Sequence, residues 1–132
     1  LDFSFSGVKT ALLTYTRKRK RPIEDGDIPD IVASYQEAII DVLVEKTLRA
    51  AELNHMTRVV VVGGVAANSR LRQRFMEAGA KRAIDIFIPP PVLCTDNAAM
   101  IAVVGDRLLA KGKRDGFDLN AVSRWPLETL PG

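Results

Sequence analysis

Two short stretches of the chain combine residue types that can bind a ligand or a metal ion. In the first, VVVVGGVAANS, the apolar residues 59–62 are followed by Gly63, Gly64 and Asn68. Glycines let the backbone turn sharply and let a flat or phosphorylated ligand approach, and an asparagine amide can hydrogen-bond sugar hydroxyls or a base edge. A helix beginning here would add unsatisfied N–H groups that suit phosphate. The alternative is a tight strand-to-helix turn in which Asn68 is only the helix N-cap.

The second stretch is CTDN, residues 94–97. Asp96 could be a metal ligand, because hard cations prefer carboxylate oxygen and a helix start gives the side chain a fixed direction. An aspartate at this position is also a common helix cap. Cys94 could be a thiolate nucleophile, but the single histidine, His55, is far away in sequence and no cationic residue is adjacent. We therefore expect Cys94 to be a small buried residue and His55 to be exposed.

Two further patterns near the start of the chain have competing interpretations. Ser6 and Lys9 form an S-x-x-K pair, the spacing used by penicillin-recognising acyl enzymes. No K-T-G strand follows, and lysine needs burial to lose its proton, so a helix-capping serine beside a solvated lysine is favoured. Residues 17–21, RKRKR, are a strong basic cluster. This cluster is either a solvated helix end or a contact for a phosphate backbone.

The elements that position these residues alternate between strands and helices. Continuous apolar strands in such an order predict an α/β domain whose helices cover a sheet, with ligands at the carboxyl ends of the strands. The predicted elements are an opening strand in LDFSFSG, a helix capped by Ser6, a long helix from near Pro29, a strand over 58–62, a helix over 69–78, a strand over 84–88, a buried helix over 97–110, and an irregular tail anchored by Trp125.

The long helix is expected to bury one stripe of side chains and to leave the opposite stripe in water. The stripe predicted to be buried contains Ile28, Ile31, Val32, Tyr35, Ile39, Val42 and Leu43. The stripe predicted to be solvated contains Asp30, Ser34, Glu37, Asp41, Glu45, Arg49 and Glu52.

Composition limits the class of protein. A chain of 132 residues with 47% hydrophobic residues can bury one core, so a single soluble domain is expected. We expect a cytoplasmic location and no membrane segment, because no apolar run approaches about 20 residues and the start lacks the features of a secretion signal. One cysteine excludes an intrachain disulfide, and one histidine excludes a Cys/His zinc site within this chain. The net charge of +3 permits a nucleic-acid partner without requiring one.

Four stretches together resemble the C-terminal part of the tRNA adenosine threonylcarbamoyltransferase family, once labelled O-sialoglycoprotein endopeptidases. The stretches are LDFSFSGVKTALL, DIVASYQEAIIDVLVEKTLRAA, VVVVGGVAANSRLR and LCTDNAAMIAVVGDRL, and they extend over nearly the whole chain. The resemblance implies the C-terminal domain of the actin-like, Hsp70-like ATPase (ribonuclease H-like) fold. Residues 1–132 would form one α/β domain of a two-domain enzyme whose N-terminal half is absent.

The resemblance also implies an activity and a set of site residues. The family transfers a threonylcarbamoyl group from threonylcarbamoyl-adenylate to the adenosine beside the anticodon, in tRNAs reading codons that begin with A. Gly63, Gly64 and Asn68 match its adenine-nucleotide or adenylate site. Asp96 matches a ligand of its one divalent metal, iron or zinc, whose two histidines in an H-x-x-x-H motif lie in the absent half. His55 does not replace them, and no residue of this chain is assigned a catalytic role.

Partners implied by the resemblance are tRNA and the other proteins of the threonylcarbamoyl-adenosine synthesis complex. Because two metal ligands are missing, the chain alone is expected to be inactive. The alternative is a noncatalytic nucleotide-binding or docking module of the same fold. A protease, as the older label suggests, is the least expected function, because neither a nucleophile–base pair nor a complete metal site is visible.

Overall fold

The computed structural model describes residues 1–118 and residue 120. The chain divides into two compact units, Leu1–Asp96 and Asn97–Gly132. In the first unit the helices and strands are α1 (Val8–Lys18), α2 (Ile28–Leu53), β1 (Arg58–Val60), α3 (Ser69–Lys81) and β2 (Asp85–Phe87), with 3₁₀ turns at Asp25–Asp27, Gly64–Ala67 and Pro91–Leu93. The described part of the second unit contains α4 (Ala98–Ala110).

The two strands pair in parallel, so β1, α3 and β2 form a βαβ unit and the predicted α/β class is confirmed. Both strands are shorter than predicted, and proline explains where the pairing ends. The N–H of Asp85 donates to the Thr57 carbonyl at 2.8 Å, and the N–H of Val61 donates to the Phe87 carbonyl at 2.9 Å. The next N–H in this parallel pattern would come from residue 89, which is a proline and has none.

The core of the first unit lies between α2, α3 and the sheet. Its buried residues are Ile40, Val44, Leu48, Ala51, Leu71, Phe75 and Ile84. The stripe predicted for α2 is wrong in three of its seven members, since Ile28, Val32 and Val42 are exposed, while Leu43 is partly buried and packs against this core. Helix α2 carries apolar residues on more than one face, and its fully buried core residues all lie at or after Ile40. Periodicity alone does not select between such faces.

The stripe of α2 that was predicted to be solvated carries ion pairs to α3. Arg70 donates two hydrogen bonds of 2.8 Å to the Glu37 carboxylate. Arg74 contacts Asp41 at 2.6 Å, and Arg82 contacts Glu45 at 2.7 Å. The hydrogen bonds from Arg70 hold the pKa of Glu37 below its usual range, and Glu37 in turn raises the pKa of Arg70. This stripe is thus the polar border of the α2–α3 interface.

The first seven residues differ from the prediction. No strand forms in residues 1–5, because the described sheet offers them no partner, and the Phe3 and Phe5 rings stack with their centroids 6.1 Å apart. Helix α1 has Gly7 at its N-cap and no side-chain capping bond, so Ser6 does not cap it. The Ser6 hydroxyl instead lies 3.3 Å from the Ser4 hydroxyl.

The second unit also departs from the prediction. Helix α4 begins where expected, with Asn97 as its N-cap accepting from the Met100 N–H at 3.1 Å. It was predicted to be buried, yet it has no buried residue and Ile101 is 74% exposed. The described part of its own unit holds no second helix or strand to cover it. The predicted tail around Trp125 lies outside the described residues. No helix in the described part is both long and apolar enough to cross a membrane.

Candidate nucleotide-binding site at the carboxyl edge of the strands

Two loops follow the carboxyl ends of the strands: the glycine loop, residues 61–68, and the proline loop, residues 88–96. In the glycine loop, Gly63 has φ 91°, a left-handed conformation that favours glycine. Gly64 begins the 3₁₀ turn that leads to Asn68. A Cβ added at either glycine would meet no protein atom within 4 Å. The glycine pair therefore presents open backbone, and its assignment to a ligand-binding surface stays a prediction.

Asn68 is the N-cap of α3, as the structural interpretation of the sequence predicts. Its Oδ1 accepts a hydrogen bond from the Leu71 N–H at 2.9 Å, and its Nδ2 donates to Gln36 Oε1 at 2.8 Å. A side-chain amide has two N–H groups and two acceptor positions. One of each remains for a ligand, so capping does not exclude binding. The assignment of Asn68 to a nucleotide site stays a prediction.

Arg72, one turn into α3, connects the two loops. Its Nη1 donates to the Ala66 carbonyl of the glycine loop at 3.0 Å and to the Pro89 carbonyl of the proline loop at 2.9 Å. Its Nη2 lies 3.5 Å from the carbonyl of Ile88. One guanidinium thus joins the segments that follow both strands.

The proline loop buries Cys94 and leaves Asp96 exposed. The Cys94 thiol lies 3.5 Å from the Pro89 carbonyl and 3.6 Å from the Pro90 carbonyl, so the prediction of a small buried residue is confirmed. Asp96 is not the cap of α4, since Asn97 occupies that position. Among the described residues there is no group of three or more His, Cys, Asp and Glu side chains that could hold a metal. Asp96 alone does not form a metal site.

The remaining candidates are separate from this edge. His55 is exposed, as predicted, in the loop that enters β1 at its opposite end. Lys9 is exposed as well, and no hydrogen bond joins it to Ser6 in the described structure, so nothing there supports serine acylation.

The basic cluster divides into paired and unpaired residues. Arg21 donates to both oxygens of Asp27, at 2.6 and 2.9 Å, and Arg19 lies 3.2 Å from the same carboxylate. The backbone N–H of Glu24, followed by Arg21, lowers the pKa of Asp27. The side chains of Arg17, Lys18 and Lys20 are exposed and have no ion-pair partner in the described part of the chain.

Sequence reasoning missed Gln36 and Arg72. Gln36 lies 32 positions before Asn68, so no local pattern connects them. Arg72 had a weak signal, since it comes one helical turn after the predicted N-cap Asn68. Together they orient the Asn68 amide and join the two loops.

Comparison with known proteins identifies a family whose members are similar to nearly the whole chain. The TsaD family model, described as tRNA N6-adenosine threonylcarbamoyltransferase, matches residues 1–103. A protein of that name from Syntrophus aciditrophicus is 63% identical over 128 residues, which are 97% of this chain and 38% of the relative. Others from Syntrophotalea carbinolica and Anaeromyxobacter dehalogenans are 52% and 54% identical, each over 96% of this chain. The chain spans 38% of the length of the first of these relatives.

Proposed function

Because the chain belongs to the tRNA N6-adenosine threonylcarbamoyltransferase family, we propose that it is the C-terminal domain of a tRNA-modifying enzyme with the actin-like fold. The complete enzyme, meaning this chain joined to an N-terminal part, transfers threonylcarbamoyl from its adenylate to the adenosine beside the anticodon. Exposed apolar side chains support a larger protein: Val60 on β1 is 67% exposed and Val62 is 66% exposed. Extensive apolar exposure is typical of surfaces that another segment or partner covers.

The observation that carries the proposal is the open glycine pair beside the N-terminus of α3. Gly63 and Gly64 have no neighbouring protein atom where a Cβ would lie. In the first turn of α3 the N–H groups of Leu71 and Arg72 are bonded to Asn68, which leaves those of Ser69 and Arg70, with their partial positive charge, for a ligand. In our proposal the flat adenosine lies against the glycine backbone, and Asn68 binds it with its remaining N–H and acceptor. This chain therefore binds and orients the adenylate.

Asp96 is proposed as the contribution of this chain to a divalent metal site, with iron or zinc as the ion. One carboxylate does not hold either ion, so no reaction step is assigned to the metal here. The other ligands are proposed to be two histidines of the N-terminal part. Further proposals are a tRNA substrate, other proteins of the threonylcarbamoyl-adenosine synthesis complex as partners, and a cytoplasmic location.

A second candidate is a noncatalytic nucleotide-binding or docking module of the same fold. It is favoured because the described residues contain no group of three or more His, Cys, Asp and Glu side chains that could hold a metal. The reading frame upstream of Leu1 separates the two candidates. If it continues into a segment encoding H-x-x-x-H, the enzyme is supported; if it starts at Leu1, the module is supported.

The test of the nucleotide site is Gly64→Ala in the complete enzyme. The added methyl meets no protein atom within 4 Å, and the φ of Gly64 is not in the left-handed region, so stability should change by less than about 0.5 kcal/mol. The methyl would contact the adenosine, so the dissociation constant of an adenine nucleotide, measured by calorimetry, should rise about tenfold. An unchanged dissociation constant would remove the glycine pair from the site.

A further inference from the structure

We infer that Arg72 is a positioning residue of the transfer reaction: it holds the glycine loop and the proline loop in register, so that the adenylate-binding backbone and Asp96 keep a fixed relation. This inference rests on the proposed function. Arg72 is not assigned contact with substrate, since its described hydrogen bonds are directed to protein groups, namely backbone carbonyls and the Cys94 sulfur.

The need for such a residue follows from where the strand pairing ends. Beyond the bond from Val61 to Phe87, the next ladder donor would be residue 89, and proline has no N–H. Residue 90 is also proline. The two loops therefore leave the sheet without further ladder bonds between β1 and β2, at the point where Gly63 begins the turn.

Arg72 supplies hydrogen bonds in place of the missing ladder. Its Nη1 bonds of 3.0 and 2.9 Å reach one carbonyl in each loop, and Ala66, which provides one of them, is buried. A buried carbonyl without a partner is costly, so these bonds constrain both loops. The rigid planar fork of arginine fixes direction as well as distance, which a single ammonium group does less well.

The chain of contacts from Arg72 extends to both candidate site residues. On the glycine-loop side, Ala66 lies two residues before Asn68, and the Asn68 N–H donates to the Val65 carbonyl at 3.0 Å. On the proline-loop side, the Pro89 carbonyl bound by Arg72 is also 3.5 Å from the Cys94 thiol, two residues before Asp96. Loosening Arg72 should therefore disturb Asn68 and Asp96 together.

The experiment compares Arg72→Met with Arg70→Met in the complete enzyme. Arg70 lies two residues earlier in α3, and its ion pair with Glu37 lies on the border with α2, so it is a matched control for the loss of an arginine. Two readouts are used: amide hydrogen exchange in both loops, and kcat and KM for threonylcarbamoyl-adenylate at saturating tRNA.

For Arg72→Met we expect faster exchange of the Ala66 and Asn68 amides and of the Leu93 and Cys94 amides, all of which are hydrogen-bonded in turns. We also expect kcat/KM for the adenylate to fall about tenfold or more. Arg70→Met should lower the melting temperature without either effect. If Arg72→Met only lowers the melting temperature and leaves exchange and kcat/KM at control values, the inference is overturned. Arg72→Lys, which keeps a donor, replaces Arg72→Met if the latter does not fold.

The two readouts separate this inference from the proposed function. If the wild-type enzyme shows no transfer, the proposed function fails. Amide hydrogen exchange then decides alone whether Arg72 holds the two loops. Faster exchange in both loops of Arg72→Met supports the inference, and unchanged exchange overturns it.

Discussion

The Asn68 side chain forms hydrogen bonds within the protein through both its amide oxygen and its amide nitrogen. Replacing Asn68 therefore removes these protein contacts as well as any contact with a ligand. Its Oδ1 caps α3 and its Nδ2 donates to Gln36. These bonds fix the orientation of the amide before any ligand arrives, and such preorganisation strengthens binding by lowering its entropic cost. The cap and the proposed ligand contact are therefore two functions of one held side chain.

Substituting Asn68 and Asp96 separately should produce opposite changes in the complete enzyme. Asn68→Ala should weaken adenine-nucleotide binding severalfold or more and leave metal content unchanged. Asp96→Ala should lower metal content and transfer rate together, with nucleotide affinity mostly kept. Metal analysis and nucleotide titration measure these effects.

Loss of the cap complicates the Asn68 result, because it alone costs about 1 kcal/mol of stability. Asn54→Ala is the control for loss of a cap. Asn54 is the C-cap of α2, away from the site, and its Nδ2 donates to the Ala50 carbonyl at 2.8 Å. If all three variants lose only stability, with normal metal content and nucleotide affinity, the assignment of both site residues is wrong.

The α2–α3 interface carries charge that should make stability depend on pH. Arg70 lowers the folded-state pKa of Glu37 below its ordinary value of 4.5. The folded state then binds fewer protons than the unfolded state, so the stabilisation is fully present above about pH 4.5 and is lost as the pH falls through the folded pKa. This pair joins α3 to α2 at the polar border of their interface.

Glu37→Gln tests this coupling. Its free energy of unfolding in urea should be lower than that of the wild type at pH 7, and the difference should shrink as the pH falls below 4.5. Asp106→Asn is the control for loss of a carboxylate, since Asp106 is exposed and has no ion pair in the described structure. A difference that stays constant from neutral to acid pH would contradict the assignment.

The basic cluster at the end of α1 can be tested for tRNA binding through the salt dependence of the affinity. Arg19 and Arg21 are engaged by Asp27, so the unpaired Arg17, Lys18 and Lys20 are the ones available to phosphate. Replacing these three with glutamine should weaken tRNA binding and reduce the slope of log affinity against log salt by about 0.7 to 1 per lost contact.

A matched variant separates local contact from net charge. Arg49, Lys81 and Lys111 are exposed on other elements, and their replacement with glutamine removes the same charge. Equal salt slopes for the two triple variants would identify the basic cluster as a solvated helix end.

Across the molecule, the features that local sequence encodes could be predicted and those that depend on distant partners could not. Helix α3 followed from Asn68 as a cap, and the end of β2 followed from the prolines after it. The strand predicted at Phe3 and Phe5 and the burial predicted for α4 each require a surface that the described residues do not provide. The bonds from Asn68 to Gln36 and from Arg72 to Pro89 span 32 and 17 positions, so they emerge only from the fold.

The central claim, that this chain supplies the adenylate-binding edge of a split tRNA-modifying site, is tested most directly by one transfer assay. The chain alone and the complete enzyme are each incubated with threonylcarbamoyl-adenylate and a tRNA that reads codons beginning with A, and the modified adenosine is quantified by mass spectrometry. We predict modification by the complete enzyme and none by the chain alone, because one carboxylate cannot hold the metal. Turnover by the isolated chain, or none by the complete enzyme, would contradict the account.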